Sequence, residues 1–220
     1  MIRTFLFSVC MVLVMPCAVA WPQLPAPSNA RVESVGEQVR LNGIPMRTQR
    51  VLIKRQPEDV VRHYRDALGP RHASERLPDR LILSQGRDEY FISVSIRPIE
   101  PGVTEALISV ADSREAKKLA GRPLGFRLPA DSALLSDLES VDAGKRSRQL
   151  VLSNTHSIPS NLVALSRELA ARGMRPDGPP LRQGTAEHVQ IFKGDRREAN
   201  LTLVHRAGET RIVMTMIEMP

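Results

Sequence analysis

Apolar and polar residues follow the same order of patterns twice along this chain. In the first stretch, alternation over 31–41 and 44–54 predicts two strands, and Asn42-Gly43 between them favours a type I′ hairpin turn because both residues tolerate positive φ. Apolar residues then recur at helical spacing after Pro57, which predicts one amphipathic helix that ends at Gly69-Pro70. Further alternating stretches predict three strands, at 81–84, 89–97 and 106–111.

The second stretch repeats this order about a hundred residues later. It predicts strands at 134–141 and 147–153, a helix over 159–172, and three more strands at 189–192, 199–204 and 211–217. Four landmarks correspond between the stretches: Gly43 with Gly144, Pro57 with Pro159, Gly86 with Gly194, and Gly102 with Gly208. Few residues are identical at matching positions, so the predicted internal repeat depends on order and spacing.

These patterns predict an α+β protein of two repeated ββαβββ modules, each an antiparallel sheet packed on one helix. We expect the first module over residues 31–111 and the second over 131–220. The stretch between them, 112–130, contains Pro123, Gly125 and Pro129 and is predicted to be a linker.

The first twenty residues have the pattern of a cleaved export signal. Arg3 precedes an apolar run from Phe5 to Met15, and Ala18-Val19-Ala20 is the small-x-small pattern that signal peptidases recognise. The run is shorter than the roughly 20 residues that a membrane-spanning helix needs. We therefore expect cleavage after Ala20, a periplasmic location and no membrane span.

Cleavage there would leave Trp21 to Ala30 as an extended, proline-rich leader. Trp21 would stand at the new N-terminus, where we expect it to have no role in the core. Cys10 and Cys17 are the two cysteines and would both leave with the signal, so we expect no disulfide and no cysteine-based site. Neither cysteine follows a small residue, which disfavours a lipoprotein.

The chain is basic, with 31 Lys and Arg against 24 Asp and Glu and a formal net charge of +7. Loss of Arg3 with the signal would lower this to +6. The basic residues are scattered along the chain, which is typical of solvated faces, and an exported protein is poorly placed to meet nucleic acid.

Two basic groups are candidates for a contact surface, since arginine recognises carboxylates and phosphates well. Their members are Arg47, Arg50, Lys54, Arg55, Lys193, Arg196 and Arg197. We expect charge reversal at Arg50 and Lys54 to weaken partner capture without lowering the melting temperature. A third feature, Asp137 and Glu139 ahead of Arg146 and Arg148, has two interpretations: cross-strand charge pairing on a solvated hairpin, or a polarised docking edge.

Motifs for catalysis, cofactors and metals are missing from the sequence. It contains no G-x-S-x-G, no glycine-rich nucleotide loop, no H-E-x-x-H and no S-x-x-K. The five histidines share no ligand spacing. We therefore expect no cofactor and no metal. An enzyme would need a site assembled from dispersed residues, for which His63, His156 and His205 are the candidates.

Export, duplication and a basic surface without a catalytic motif favour an accessory or adaptor protein that binds an envelope partner, either a protein or an anionic component. Its predicted helix-on-sheet modules resemble in architecture those found in accessory subunits of envelope assembly and secretion machines. The alternative is an exported, hydrolase-like enzyme with an active site of dispersed His, Asp and Ser residues.

Overall fold

A computed structural model describes residues 21–36, 38–116 and 124–220. Of these residues, 53% lie in strands and 14% in helices. The helices are α1 (Pro57–Leu68) and α2 (Ile158–Ala170). The strands are β1 (Arg31–Ser34), β2 (Gln38–Leu41), β3 (Ile44–Ile53), β4 (Ala73–Arg76), β5 (Leu81–Arg87), β6 (Tyr90–Glu100), β7 (Val103–Asp112), β8 (Ala133–Asp142), β9 (Lys145–Asn154), β10 (Arg175–Pro176), β11 (Arg182–Gln183), β12 (Glu187–Gly194), β13 (Arg197–Arg206) and β14 (Glu209–Glu218).

All fourteen strands belong to one antiparallel sheet in the order β10-β12-β13-β14-β9-β8-β2-β3-β7-β6-β5-β4, with β1 beside β3 and β11 beside β12. The predicted fold class, α+β with two ββαβββ modules that each have a sheet and a helix, is therefore wrong. The protein is mostly antiparallel sheet. The prediction gave each half a sheet of its own, whereas β2 and β8 pair with each other and join the two halves in one sheet.

The junction between the halves is a short antiparallel pairing. Gln38 lies opposite Val141, and Leu41 lies opposite Leu138. Outward from this junction, each half continues with a hairpin partner, the last strand of that half and then the strands before it. A shift of 101 residues places β3 (44–53) on β9 (145–154) and the first residue of α1 (57) on that of α2 (158). The internal repeat and the module boundaries stay predictions.

Local chemistry explains why the matched elements form. Asn42 (φ 51°) and Ala143 (φ 47°) each precede a glycine with φ 79°, so both hairpins turn through two residues of positive φ. Pro57 begins α1, with acidic residues in its first turn. The Ser157 side chain accepts a hydrogen bond from the Ser160 N–H and caps α2.

Both helices lie on the same face of the sheet. The odd-numbered residues of β3 and the even-numbered residues of β9 carry the buried side chains under α1 and α2. Opposed residues of an antiparallel pair share a face. Arg40 on β2 lies opposite Pro45 and Glu139, and Glu139 lies opposite Arg148 on β9, so one face runs across the junction. We call it the helix face.

Two separate hydrophobic cores lie on the helix face, one under each helix. Val60, Tyr64 and Leu68 of α1 pack into the first core, and Leu165 and Leu169 of α2 pack into the second. Across the sheet, α1 lies nearest to β5, β6 and β7, and α2 lies nearest to β10, β12 and β13. The middle of the helix face is therefore left between the helices.

The segment before β1 packs onto the first core. Leu24 is buried, and Trp21 is partly buried with its ring centroid 5.4 Å from that of Tyr90. The expectation that Trp21 has no core role is wrong, because its ring covers the apolar rim of the first core. The predicted signal peptide, residues 1–20, and residues 117–123 of the predicted linker lie outside the described residues.

Candidate partner-binding groove

The contact residues predicted in the first half do not form one surface. Arg47 and Arg50 are three positions apart on β3 and so lie on opposite faces of the sheet. The Arg47 guanidinium lies on the helix face, 4.9 Å from the centroid of the Trp21 ring. Lys54 and Arg55 follow the strand and are exposed, and Arg55 donates to the Ser28 hydroxyl at 2.8 Å.

Arg50 belongs to a charge network on the helix-free face. Its Nε lies 2.5 Å from one carboxylate oxygen of Glu105, and Arg97 Nε lies 2.7 Å from the other. The Glu105 side chain is only 8% exposed. Burial acts to raise the pKa of Glu105, but hydrogen bonds from Arg97 and Arg50 outweigh it and hold the pKa below its ordinary value. Charge reversal at Arg50 would place a second carboxylate beside Glu105 with only Arg97 left to pair with it, so we now expect it to lower stability.

The residues predicted in the second half lie beside a groove at the junction. The groove has a volume of about 560 Å³, and five arginines and two glutamates line it: Arg40, Arg146, Arg148, Arg172, Arg197, Glu139 and Glu218. Arg197 is the predicted contact residue that it contains. Lys193 lies outside the groove and pairs with Asp177 at 2.7 Å.

Two rows of opposed residues form the floor of the groove. The first row crosses four strands as Arg197, Glu218, Arg146 and Val141, which lie on β13, β14, β9 and β8. The second row lies two residues further along the same strands. It crosses β14, β9, β8 and β2 as Met216, Arg148, Glu139 and Arg40. Charges of opposite sign alternate in both rows.

Positive charge exceeds negative charge in the first row. Arg197 Nη2 lies 2.8 Å from Glu218 Oε1. This hydrogen bond and the charge of Arg197, together with the charges of Arg146 and Arg196, hold the pKa of Glu218 below its ordinary value. One carboxylate therefore faces three guanidinium groups, and Arg146 and Arg196 are both exposed.

The remaining arginines of the groove are held more firmly. Arg148 makes two parallel hydrogen bonds to Asp137, at 2.8 and 2.7 Å. Arg172 pairs with Glu168 and stacks 4.5 Å from the centroid of the Phe126 ring. These ion pairs, together with that of Arg197 and Glu218, fix three guanidinium groups in place. Arg40 and Arg146 then remain with Glu139, which leaves one positive charge in excess.

A second cavity continues the groove toward the end of the sheet. It has a volume of about 600 Å³ and is also lined by Arg146, Arg172 and Arg197, with Arg196 added at the β12–β13 turn. Arg196 is the second predicted contact residue that the structure brings to this site. The two cavities together present a continuous basic surface.

The candidate catalytic histidines each contact a structural partner. His63 Nε2 lies 2.9 Å from the Pro25 carbonyl oxygen, and His156 Nε2 lies 2.9 Å from that of Ala130. His205 Nδ1 lies 2.7 Å from the Thr210 hydroxyl, which itself donates to the His156 carbonyl. The Thr210 hydroxyl donates its proton to the His156 carbonyl, so its oxygen accepts a hydrogen bond from His205 Nδ1. His205 therefore does not act as a base toward the Thr210 hydroxyl. Within the described ranges, no three His, Cys, Asp or Glu side chains are placed to hold a metal ion.

Sequence reasoning found part of this site. Arg196 and Arg197 were predicted, whereas Arg40, Arg146, Arg148 and Arg172 were not named as contact residues. The signal was the acidic stretch ahead of Arg146 and Arg148. Its cross-strand pairing is present, because Arg148 binds Asp137 and lies opposite Glu139, but the pair lies on the helix face rather than on a fully solvated one.

Comparison with protein-family models, curated proteins and solved structures finds no match for this chain. Neither helix of the described residues is long and apolar enough to cross a membrane.

Proposed function

We propose that this protein works by binding and that its partner docks in the groove at the junction of β2 and β8. One observation carries this proposal: at the junction of the two halves, five arginines line an open groove, and they exceed the carboxylates that pair with them or line it, namely Glu139, Glu218, Asp137 and Glu168. Guanidinium groups that exceed their carboxylate partners attract anionic groups and can bind them bidentately. The partner is therefore acidic where it meets the groove.

The predicted export signal indicates the compartment in which the protein would meet its partner. An exported, basic protein with no catalytic motif suits an accessory or adaptor role in the cell envelope, where its partner is an envelope protein or an anionic envelope component. The proposal concerns binding alone and assigns no reaction to the protein.

Partner capture from a gently solubilised envelope fraction tests the proposal. The immobilised mature chain is compared with a variant that carries Arg146→Gln and Arg196→Gln, two exposed residues in the basic surface. The control variant carries Lys54→Gln and Arg206→Gln, which remove the same charge at exposed positions outside the groove. Salt is held at about 0.05 M and then at about 0.3 M, because screening weakens exposed ionic contacts over that range.

We expect a stoichiometric partner at low salt that is lost at high salt and lost in the groove variant, while the control variant retains it. Equal loss in both variants would show that net charge alone matters. Equal capture by all three proteins, or capture by none, would overturn the proposal.

A further inference from the structure

The groove is shaped for a chain rather than for an enclosed small molecule. Its floor crosses five neighbouring strands, β13, β14, β9, β8 and β2, beyond the buried residues of β9 and β14 that lie under α2. At about 4.8 Å per strand the width of the floor is roughly 20 Å. Small-molecule sites enclose most of their ligand, whereas this floor lies open along its length.

The alternation of charge on the floor distinguishes between anionic partners. Glu218 lies between Arg197 and Arg146, and Glu139 lies between Arg148 and Arg40. An evenly charged polymer laid along either row would place some of its anionic groups against a glutamate, which is unfavourable. A polypeptide with neutral residues between its acidic ones avoids this repulsion.

The spacing of the arginines indicates the conformation of such a polypeptide. Arg197 and Arg146 are two strands apart, or about 9.6 Å at the usual strand separation. In polyproline II conformation, residues three apart lie on the same side of the chain and about 9.3 Å from each other. Carboxylates at every third position of an extended segment would therefore match the two arginines of the first row.

The molecule already holds an extended, proline-rich segment on the same face, although that segment has no acidic residue. Residues 21–27 contain three prolines, form no helix or strand, and pack on the first core through Leu24. Arg47 lies over the Trp21 ring, and His63 holds the Pro25 carbonyl. Arg47 precedes Arg148 of the groove by 101 residues, the same shift that relates β3 to β9.

We propose that the groove binds an extended, proline-rich polypeptide segment of its partner with an acidic side chain at every third position. This inference rests on the proposed function, since it names the part of the partner that enters the same groove. It commits to a protein partner and excludes a phosphate polymer or a lipid surface as the natural ligand.

The test uses two synthetic peptides of identical composition. One is Glu-Pro-Pro-Glu-Pro-Pro-Glu, with acids at every third position, and the other is Pro-Pro-Glu-Glu-Glu-Pro-Pro, with adjacent acids. Their dissociation constants for the mature chain and for Arg146→Gln are measured by NMR titration at about 0.05 M salt, where exposed ion pairs contribute most. Inorganic polyphosphate and vesicles of phosphatidylglycerol are titrated in parallel.

We expect the spaced peptide to bind at least about threefold more tightly than its isomer, since each exposed ion pair changes the affinity by only a modest factor. Arg146→Gln is expected to abolish this difference. Equal affinity for the two peptides, tighter binding of polyphosphate or vesicles at the groove residues, or binding of no probe would each overturn the inference. Partner capture that depends on Arg146 and Arg196 would still stand in those cases, so the failure of this inference is distinct from failure of the proposed function.

Discussion

A Cβ atom at Gly194 would lie 2.5 Å from the carbonyl oxygen of Gly173 and 3.2 Å from Cγ of Met174. Gly194 ends β12, and Gly173 follows α2 with φ 76°. The chain that leaves α2 thus passes against the strand at a distance that only glycine permits. This contact fixes the end of the helix from which Arg172 and Met174 reach the groove.

We predict that Gly194→Ala lowers the free energy of unfolding by about 1–3 kcal/mol, because the helix end must move to relieve the overlap. Gly86, its counterpart in the first half, has no atom within 4 Å of the corresponding Cβ position. Gly86→Ala is therefore the control, with an expected effect within about 0.5 kcal/mol. Denaturant unfolding measures both variants, and equal effects would contradict the contact.

Two buried threonines, one in each half, make the same kind of hydrogen bond: each donates to the carbonyl of a residue just before a helix. Thr104 donates to the Arg55 carbonyl at 2.8 Å, Thr210 donates to the His156 carbonyl, and both threonines are 0% exposed. We predict that Thr104→Val costs about 1–3 kcal/mol of unfolding free energy, since the Arg55 carbonyl loses this donor. Thr210→Val should cost less, because Asn161 Nδ2 also donates to the His156 carbonyl, at 3.1 Å. Thr202→Val on the half-buried helix-free side of β13 is the control and should leave unfolding unchanged within about 0.5 kcal/mol. Three similar values would refute a role for the two hydrogen bonds.

The Glu105 network makes stability depend on acid pH. The folded state lowers the pKa of Glu105, so its ionised form adds stability at pH values above the unfolded pKa, near 4.5. That contribution is lost as the pH falls through the lower, folded pKa. We predict that the unfolding free energy of the wild type falls more steeply below pH 4.5 than that of Glu105→Gln. Urea unfolding at successive pH values measures the slopes.

An exposed carboxylate provides the comparison for this slope. Glu209→Gln removes an acid that is 44% exposed and pairs with Arg211 at 3.5 Å. Exposed ion pairs contribute little to stability, so this variant should keep the acid slope of the wild type. If Glu105→Gln and Glu209→Gln reduced the slope of unfolding free energy against pH equally, Glu105 would have no special part in acid unfolding.

The Tyr64 hydroxyl is buried in α1 without a hydrogen-bond partner among the described residues, and burial raises its pKa to about 12. We predict that Tyr64→Phe keeps or raises the unfolding free energy, by up to about 1 kcal/mol, because an unsatisfied polar group is removed. Above pH 10, where the unfolded chain ionises this phenol and the folded chain does not, the variant should also lose less stability.

Tyr90→Phe is the matched change for Tyr64→Phe. The Tyr90 hydroxyl accepts a hydrogen bond from Arg114 at 3.1 Å, so its removal should lower the unfolding free energy. Thermal and denaturant unfolding compare the two variants. A greater loss at Tyr64 than at Tyr90 would mean that the Tyr64 hydroxyl has a partner in solution.

Local elements of this fold were predictable because their signals are local. Asn42-Gly43 fixes a hairpin, Pro57 begins a helix, and alternation marks strands wherever one face is buried. The pairing of β2 with β8 joins residues about a hundred positions apart through a short register, and no local pattern specifies it. The break between β1 and β2 was also missed, since Gly36 interrupts an alternation that otherwise continues.

The groove was predictable only in part for the same reason. Arg196 and Arg197 are adjacent residues at a turn and are recognisable in the sequence as a basic pair. Arg40 and Arg146 lie in one groove only because β2 pairs with β8 at the junction. Arg50 shows the opposite error: it looked like a surface charge, but a buried carboxylate on β7 holds it. Charge in a sequence does not reveal which face of a sheet it will occupy.

Amide hydrogen exchange of the protein, alone and with the captured partner, tests the central claim most directly. If the partner docks in the groove, slower exchange is expected in residues 138–141, 146–148 and 216–218, which carry the two floor rows. Exchange in α1 and β4, which lie away from the groove, should not change. Slower exchange confined to α1 and β4, with the groove strands unaffected, would contradict the account.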